Sequence, residues 1–213
     1  KPPELGTGVF AMDTGNGSST IPAFDSGFPV DMGIFREPAT TSSWWLSSRL
    51  LQGYENRVDG TDATSALDKQ VFDSNVGWVK GTTYDSDYQG WMWKRHAGFD
   101  VVAYTGNGVA GCQISHSLNK TIEMMWVKKR SGSGGSASWT VYHKGLNGGT
   151  NPEDYYLKLD SNGDESDHVN RWNDTAPTST HFTVGSGSVV NNDTDTYIAM
   201  LFASVDGISK VGY

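Results

Sequence analysis

Thr14-Gly15-Asn16-Gly17 recurs as Thr105-Gly106-Asn107-Gly108, 91 residues further along the chain. The flanks recur with it. Gly8-Val9-Phe10-Ala11-Met12-Asp13 lines up with Phe99-Asp100-Val101-Val102-Ala103-Tyr104, and Val30-Asp31-Met32 with Ile122-Glu123-Met124. Trp44 matches Trp139, Leu51 matches Leu146, and Tyr54 through Asp59 matches Tyr155 through Asp160. Finally, Tyr88-Gln89-Gly90-Trp91-Met92-Trp93 parallels Tyr197-Ile198-Ala199-Met200-Leu201-Phe202. A fixed-period self-similarity of this kind is the mark of a repeated supersecondary unit. The spacing between matched residues grows from 91 to 109, so the second copy is longer by about 18 residues. The growth falls at Ser131–Ser138, Asn147–Asp154 and Gly185–Asp195, whose Gly, Ser, Asn and Asp content suits loops.

Each copy reads as short strands. Aromatic and β-branched runs such as Phe99–Tyr104, Ile122–Lys128, Trp139–Tyr142 and Tyr197–Phe202 are bounded by turn formers. Tyr156 to Asp160 alternates as a half-exposed strand does, and Ile198 to Ala203 is apolar throughout, as in a strand covered on both faces. Only Ala66 to Phe72 suggests a turn or two of helix. Six or seven strands in about 100 residues is the size of an antiparallel β-sandwich. The expected fold is therefore all-β, with two tandem sandwich units: a linker over 1–7, a first unit over 8–97 and a second over 98–213. One larger sandwich built from both copies is the alternative. Tyr213 aligns with Tyr104, which precedes the second turn, so the parent polypeptide is expected to continue into a further repeat.

Composition limits the function. Hydrophobic residues make up 36% of the 213, but 8 Trp, 9 Tyr and 8 Phe carry large burial per residue. A net charge of -8 argues against nucleic acid, which needs a concentrated basic surface. There is no apolar run long enough for a membrane-spanning helix. The single cysteine, Cys112, reads as a small hydrophobe.

No catalytic pattern stands out, and an enzyme is not expected. Glycoside hydrolysis needs two carboxylates flanking the sugar, and no acidic strand motif supplies them. His116, His143, His168 and His181 show no metal-ligand spacing. Asp160, Asn162, Asp164 and Asp167 place oxygens in a Ca²⁺-like pattern, yet Glu165 and Arg171 stand where an EF-hand needs Gly and Glu. The solvated acidic turn is the simpler reading, Ca²⁺ the rival one, and no other cofactor is expected. Trp44 and Trp45 are the candidate ligand-binding residues, because neighbours on a strand point to opposite faces and one must leave the core. Trp91 and Trp93 share a face and align with Met200 and Phe202, so both are expected in the core, as are Trp139 and Trp172.

The runs Phe99 to Gly108, Ile122 to Lys129, Trp139 to Leu146, Trp172 to Thr178, Ser179 to Gly185 and Tyr197 to Ala199 resemble a tandem-repeat family of marine bacteriophage virion and tail-fibre proteins. That family is similar to concanavalin A-like and laminin-G-like sandwiches. Lys1 to Leu5 resembles the linker before such arrays. The resemblance implies a structural, adhesive module on the virion surface, outside the cell, contacting host-surface glycans. It also implies other virion proteins, and copies of the same chain in a homo-oligomer, as partners. A spacer or capsid-decorating domain is the first rival, a polysaccharide depolymerase the second.

Overall fold

The computed structural model describes residues 5–131 and 137–212. Most of the expected linker, most of the expected insertion at Ser131–Ser138, and Tyr213 lie outside them. The chain divides into two compact units, one of residues 1–58 with 64–96 and one of 59–63 with 97–213. Segment 59–63 belongs by sequence to the first copy but groups with the second unit: the Ala137 N–H donates to the Thr61 carbonyl oxygen at 2.9 Å.

Among its described residues the first unit has eight strands: β1 (Phe10–Thr14), β2 (Phe24–Asp25), β3 (Met32–Arg36), β4 (Trp45–Ser48), β5 (Tyr54–Arg57), β6 (Ser65–Ala66), β7 (Gly77–Trp78) and β8 (Gln89–Trp93). Six form one antiparallel sheet in the order β1-β8-β3-β4-β5-β6, and β2 pairs with β7 to form a second layer. Phe24 and Trp78 of that layer pack with Phe35, Phe72, Tyr84 and Met92 in a buried cluster. Trp78 lies so close over Gly33 that a Cβ there would collide with its indole.

The second unit repeats this plan strand for strand: β9 (Phe99–Thr105), β10 (Cys112–Ser115), β11 (Met124–Ser131), β12 (Thr140–His143), β13 (Tyr155–Lys158), β14 (Ser166–Asp167), β15 (His181–Val184) and β16 (Thr196–Phe202). Its large sheet runs β9-β16-β11-β12-β13-β14, with β10 paired to β15 as the second layer. Both units are thus antiparallel β-sandwiches of one topology. Their cores are Trp78-centred in the first, and in the second built from Trp172, Phe182, Tyr197 and aliphatic neighbours.

The recurring turn does the same work twice. The Gly15 and Gly106 N–H groups donate to the carbonyls of Tyr88 (3.0 Å) and Asp195 (2.8 Å). Those of Gly17 and Gly108 donate to Tyr84 (2.7 Å) and Asn191 (2.9 Å). Asn16 and Asn107 each accept, through Oδ1, the N–H two residues on at 2.9 Å, an Asx turn. A Cβ at Gly15 would strike the Tyr84 carbonyl, and one at Gly106 the Asn192 carbonyl.

Three expectations are corrected. The ladder sets Thr14 opposite Gln89 and Thr105 opposite Thr196, so Tyr88 corresponds to Asp195 and not to Tyr197. The sequence match had slipped by two residues, which keeps every side chain on its face and so leaves the polarity pattern intact. Ala66 closes β6 and is followed by a turn, in which the Gln70 N–H reaches the Leu67 carbonyl at 3.1 Å, in place of a helix. The growth at Gly185–Asp195 is not a solvated loop: it forms one helical turn, Ser188–Asn191, that buries Val190 and Asn191.

Candidate functional site

Alternation along β4 sends the paired tryptophans to opposite faces. Trp45 turns inward, is half-buried against the first core, and lines a hollow of about 220 Å³ with Phe35, Tyr84, Tyr88, Glu55, the hydroxyl residues Ser42, Ser43 and Thr83, and Leu67. Trp44 turns the other way. Its ring lies 5.2 Å from that of Trp91, with the Arg36 guanidinium 4.9 Å from its centroid. Trp91 and Trp93 are therefore not in the core as expected. Met92 between them is the buried residue, while Trp93 packs on Phe10 at 5.0 Å. Trp139 and Trp172 are buried.

The walls of the hollow are aromatic and set at steep angles. Phe35 meets Tyr84 edge-on at 5.1 Å, and Tyr84 meets Tyr88 at 5.7 Å and 78°. Glu55 is the one carboxylate among the described lining residues. Burial raises its pKa, partly offset by a 3.0 Å hydrogen bond from Gln70 Nε2 to Glu55 Oε2. Gln70 is fully buried and its Nε2 also lies 3.5 Å from the Tyr84 hydroxyl, so it ties the carboxylate to the aromatic wall. Burial, then the charge of Glu55, drives the Tyr84 hydroxyl well above the ordinary phenol range. Tyr88 is raised by burial and by Glu37 and Asp85. Both phenols are thus proton donors at neutral pH. Apolar ring faces beside hydroxyls and one carboxylate can stack on and hydrogen-bond a small polyol.

The acidic turn takes other duties. Asp160 accepts the Trp139 N–H at 3.0 Å, and Asp167 sits in β14 opposite Tyr155. Asn162 and Asp164 are exposed. Among the described residues no three His, Cys, Asp or Glu side chains gather as a metal-holding group. A second hollow, of about 250 Å³, lies beside this turn and is lined by Tyr156, Lys158, Ser161 and Asp164 among others. His116 and His181 do approach one another, through Thr178: the His116 ring meets its carbonyl oxygen at 3.3 Å and the His181 ring its hydroxyl at 3.2 Å. Cys112 is half-buried against the second core. No helix among the described residues is long and apolar enough to cross a membrane.

Of the site residues the sequence offered, the structure brings one, Trp45, into the hollow. Glu55, Tyr84 and Tyr88 went unnoticed. For Glu55 a signal existed: β4 and β5 pair Trp45 with Arg57, so alternation puts Glu55 on the face of Trp45. Tyr84 and Tyr88 lie in a Ser-, Thr- and Asp-rich connection where no periodicity announces them.

A family profile described as a domain of unknown function, DUF7483, matches residues 78–213, which span β8 and the strands β9 to β16. No curated protein and no solved structure matches the chain. The chain belongs to the DUF7483 family.

Proposed function

We propose that this chain is a structural and adhesive module of a bacteriophage virion, carried on a tail fibre or similar surface appendage and contacting host-surface glycans. The observation that carries the adhesive part is the first-unit hollow, where Trp45, Tyr84 and Tyr88 stand beside Glu55 and three hydroxyl side chains. The virion setting rests on the resemblance of the second copy's runs, from Phe99 to Ala199, to phage appendage repeats. The module is read as a binder and not a catalyst, with other virion proteins and further copies of itself as neighbours. A weak, small site suits such a setting, since many copies on one particle multiply a modest affinity.

A glycan array probed with the purified chain tests this. Binding to a subset of glycans is expected, reduced about tenfold or more by Trp45→Ala, since a stacked aromatic contributes on the order of 1 kcal/mol beyond its buried area. Silence across the array from a chain whose circular dichroism shows intact β-structure overturns the adhesive reading and leaves the spacer role.

A further inference from the structure

The hollow of the first unit has a size and a charge that narrow its ligand. At about 220 Å³ it lies below the roughly 300–1,000 Å³ of sites for drug-sized molecules, so it accommodates one sugar ring. Its polarity is acidic. Glu55 is in the wall, Glu37 and Asp85 act on Tyr88, and Asp68 acts on Tyr84. Two cations lie nearby. The Lys69 ammonium lies over the Tyr84 ring at 5.9 Å and donates to Thr83 Oγ1 at 3.2 Å. Arg57 faces Trp45 across the ladder and has partners of its own. Glu55 itself is held by a neutral amide, which leaves its charge uncompensated in a half-buried place, and such a charge favours an incoming cation. Aromatic walls favour the same thing, because ring faces attract ammonium groups.

The second unit offers an internal counterpart. Along its ladder Asp195 takes the place of Tyr88. Lys129 stands opposite Tyr197, as Phe35 stands opposite Gly90, so Lys129 takes the place of Phe35. There Lys129 Nζ meets Asp195 Oδ2 at 2.6 Å, with both side chains buried. That corner of the second unit is filled by an ammonium and a carboxylate from the chain itself. In the first unit the corner is open, and its carboxylate comes from β5.

We propose that the first-unit hollow recognises a sugar bearing a free, protonated amine, with Glu55 receiving the ammonium and the aromatic walls stacking on the ring. This rests on the glycan-binding reading above and specifies its ligand. The test is titration calorimetry with the methyl glycosides of glucosamine, N-acetylglucosamine, glucose and glucuronate. Glucosamine is expected to bind about tenfold or more tighter than the other three, and added salt should shrink that margin. Glu55→Gln is expected to erase the preference while neutral sugars still bind weakly. If N-acetylglucosamine, glucose or glucuronate binds as tightly as glucosamine, the amine assignment is overturned and the glycan reading stands. If the folded protein binds none of the four and no array glycan, both fall together. The wild-type comparison decides the matter even where Glu55→Gln folds poorly.

Discussion

In the first unit the carbonyl that receives the Gly17 N–H belongs to Tyr84; in the second, the carbonyl that receives the Gly108 N–H belongs to Asn191. The backbone contact is the same and the side chains diverge. Tyr84 joins Tyr88, Phe35 and Trp45 around an open hollow. Asn191 is buried and fully engaged, donating to the Val109 and Gly185 carbonyls at 2.9 Å each and accepting the Asn107 N–H at 2.9 Å. Beside it Asp195 pairs with Lys129 and takes a further hydrogen bond from Asn192 Nδ2 at 2.9 Å. Both units keep the turn and the ladder, which fix the backbone. The corner under the turn is closed by polar bonds in one unit and left as an aromatic cavity in the other. A corner whose polar groups satisfy one another has little left for a ligand, while an open aromatic one does.

Breaking the closed corner should have the largest effect. Asp195→Ala leaves the Lys129 ammonium buried without its carboxylate, and removal of one partner from a buried pair typically costs about 3–5 kcal/mol. Replacing both together, Lys129→Phe with Asp195→Tyr, transplants the first unit's residues. It is expected to be less destabilising than Asp195→Ala alone, because paired replacement by apolar groups avoids the stranded charge. Urea denaturation of the three proteins checks this; a double variant weaker than the single one would show that the two corners are not interchangeable solutions.

The shared element should break equally in both units, by a smaller amount. Gly15→Ala and Gly106→Ala each push a methyl group into a backbone carbonyl, of Tyr84 and Asn192 respectively. Overpacking of this sort costs about 1–3 kcal/mol. Similar losses from the two variants in denaturant melts are expected. A much larger loss at one site would mean that the turn matters more to one unit than to the other.

The repeat, the strand content and the two-unit plan were legible because they depend on local signals, namely turn residues with forced geometry and runs of β-formers between them. The exact ladder was not. A two-residue slip between Tyr88 and Tyr197 preserves which face each side chain takes, so no hydrophobic pattern can reveal it. Trp91 and Trp93 failed for a related reason. Alternation says that they share a face but not which face, and Met92 won the interior. The candidate site was half visible. Trp45 could be singled out from the strand, but Glu55 and Tyr84 are joined through Gln70, 15 and 14 residues away in sequence, by a contact that only the folded sheet creates. The acidic turn stays open to two readings in sequence, because Asp side chains at alternate positions look alike whether they hold a cation or, like Asp160, a neighbouring backbone N–H.

The remaining effect separates the units by pH. Burial pushes the Lys128 ammonium down to about 8, against the attraction of Asp160 and Asp62, and its Nζ donates to the Ala137 carbonyl at 2.6 Å. Its ordinary value is 10.5, so between about 8 and 10.5 the unfolded chain holds a proton that the folded chain has lost. Stability of the second unit should therefore rise with pH across that window, and the gain should vanish as pH falls through 8. Tyr142 and Tyr197 act in the opposite sense. Burial raises each hydroxyl to about 12, so the stability they confer is whole below pH 10 and lost as pH climbs from 10 to 12. The first unit has raised tyrosines, Tyr84 and Tyr88, but no lysine among its buried described residues, and above pH 8 it supplies the falling limb. Urea midpoints measured from pH 7 to 12 are thus expected to climb to about pH 10 and then drop. In Lys128→Met the climb should disappear while the drop remains; a climb that survives this change would place the titrating group elsewhere.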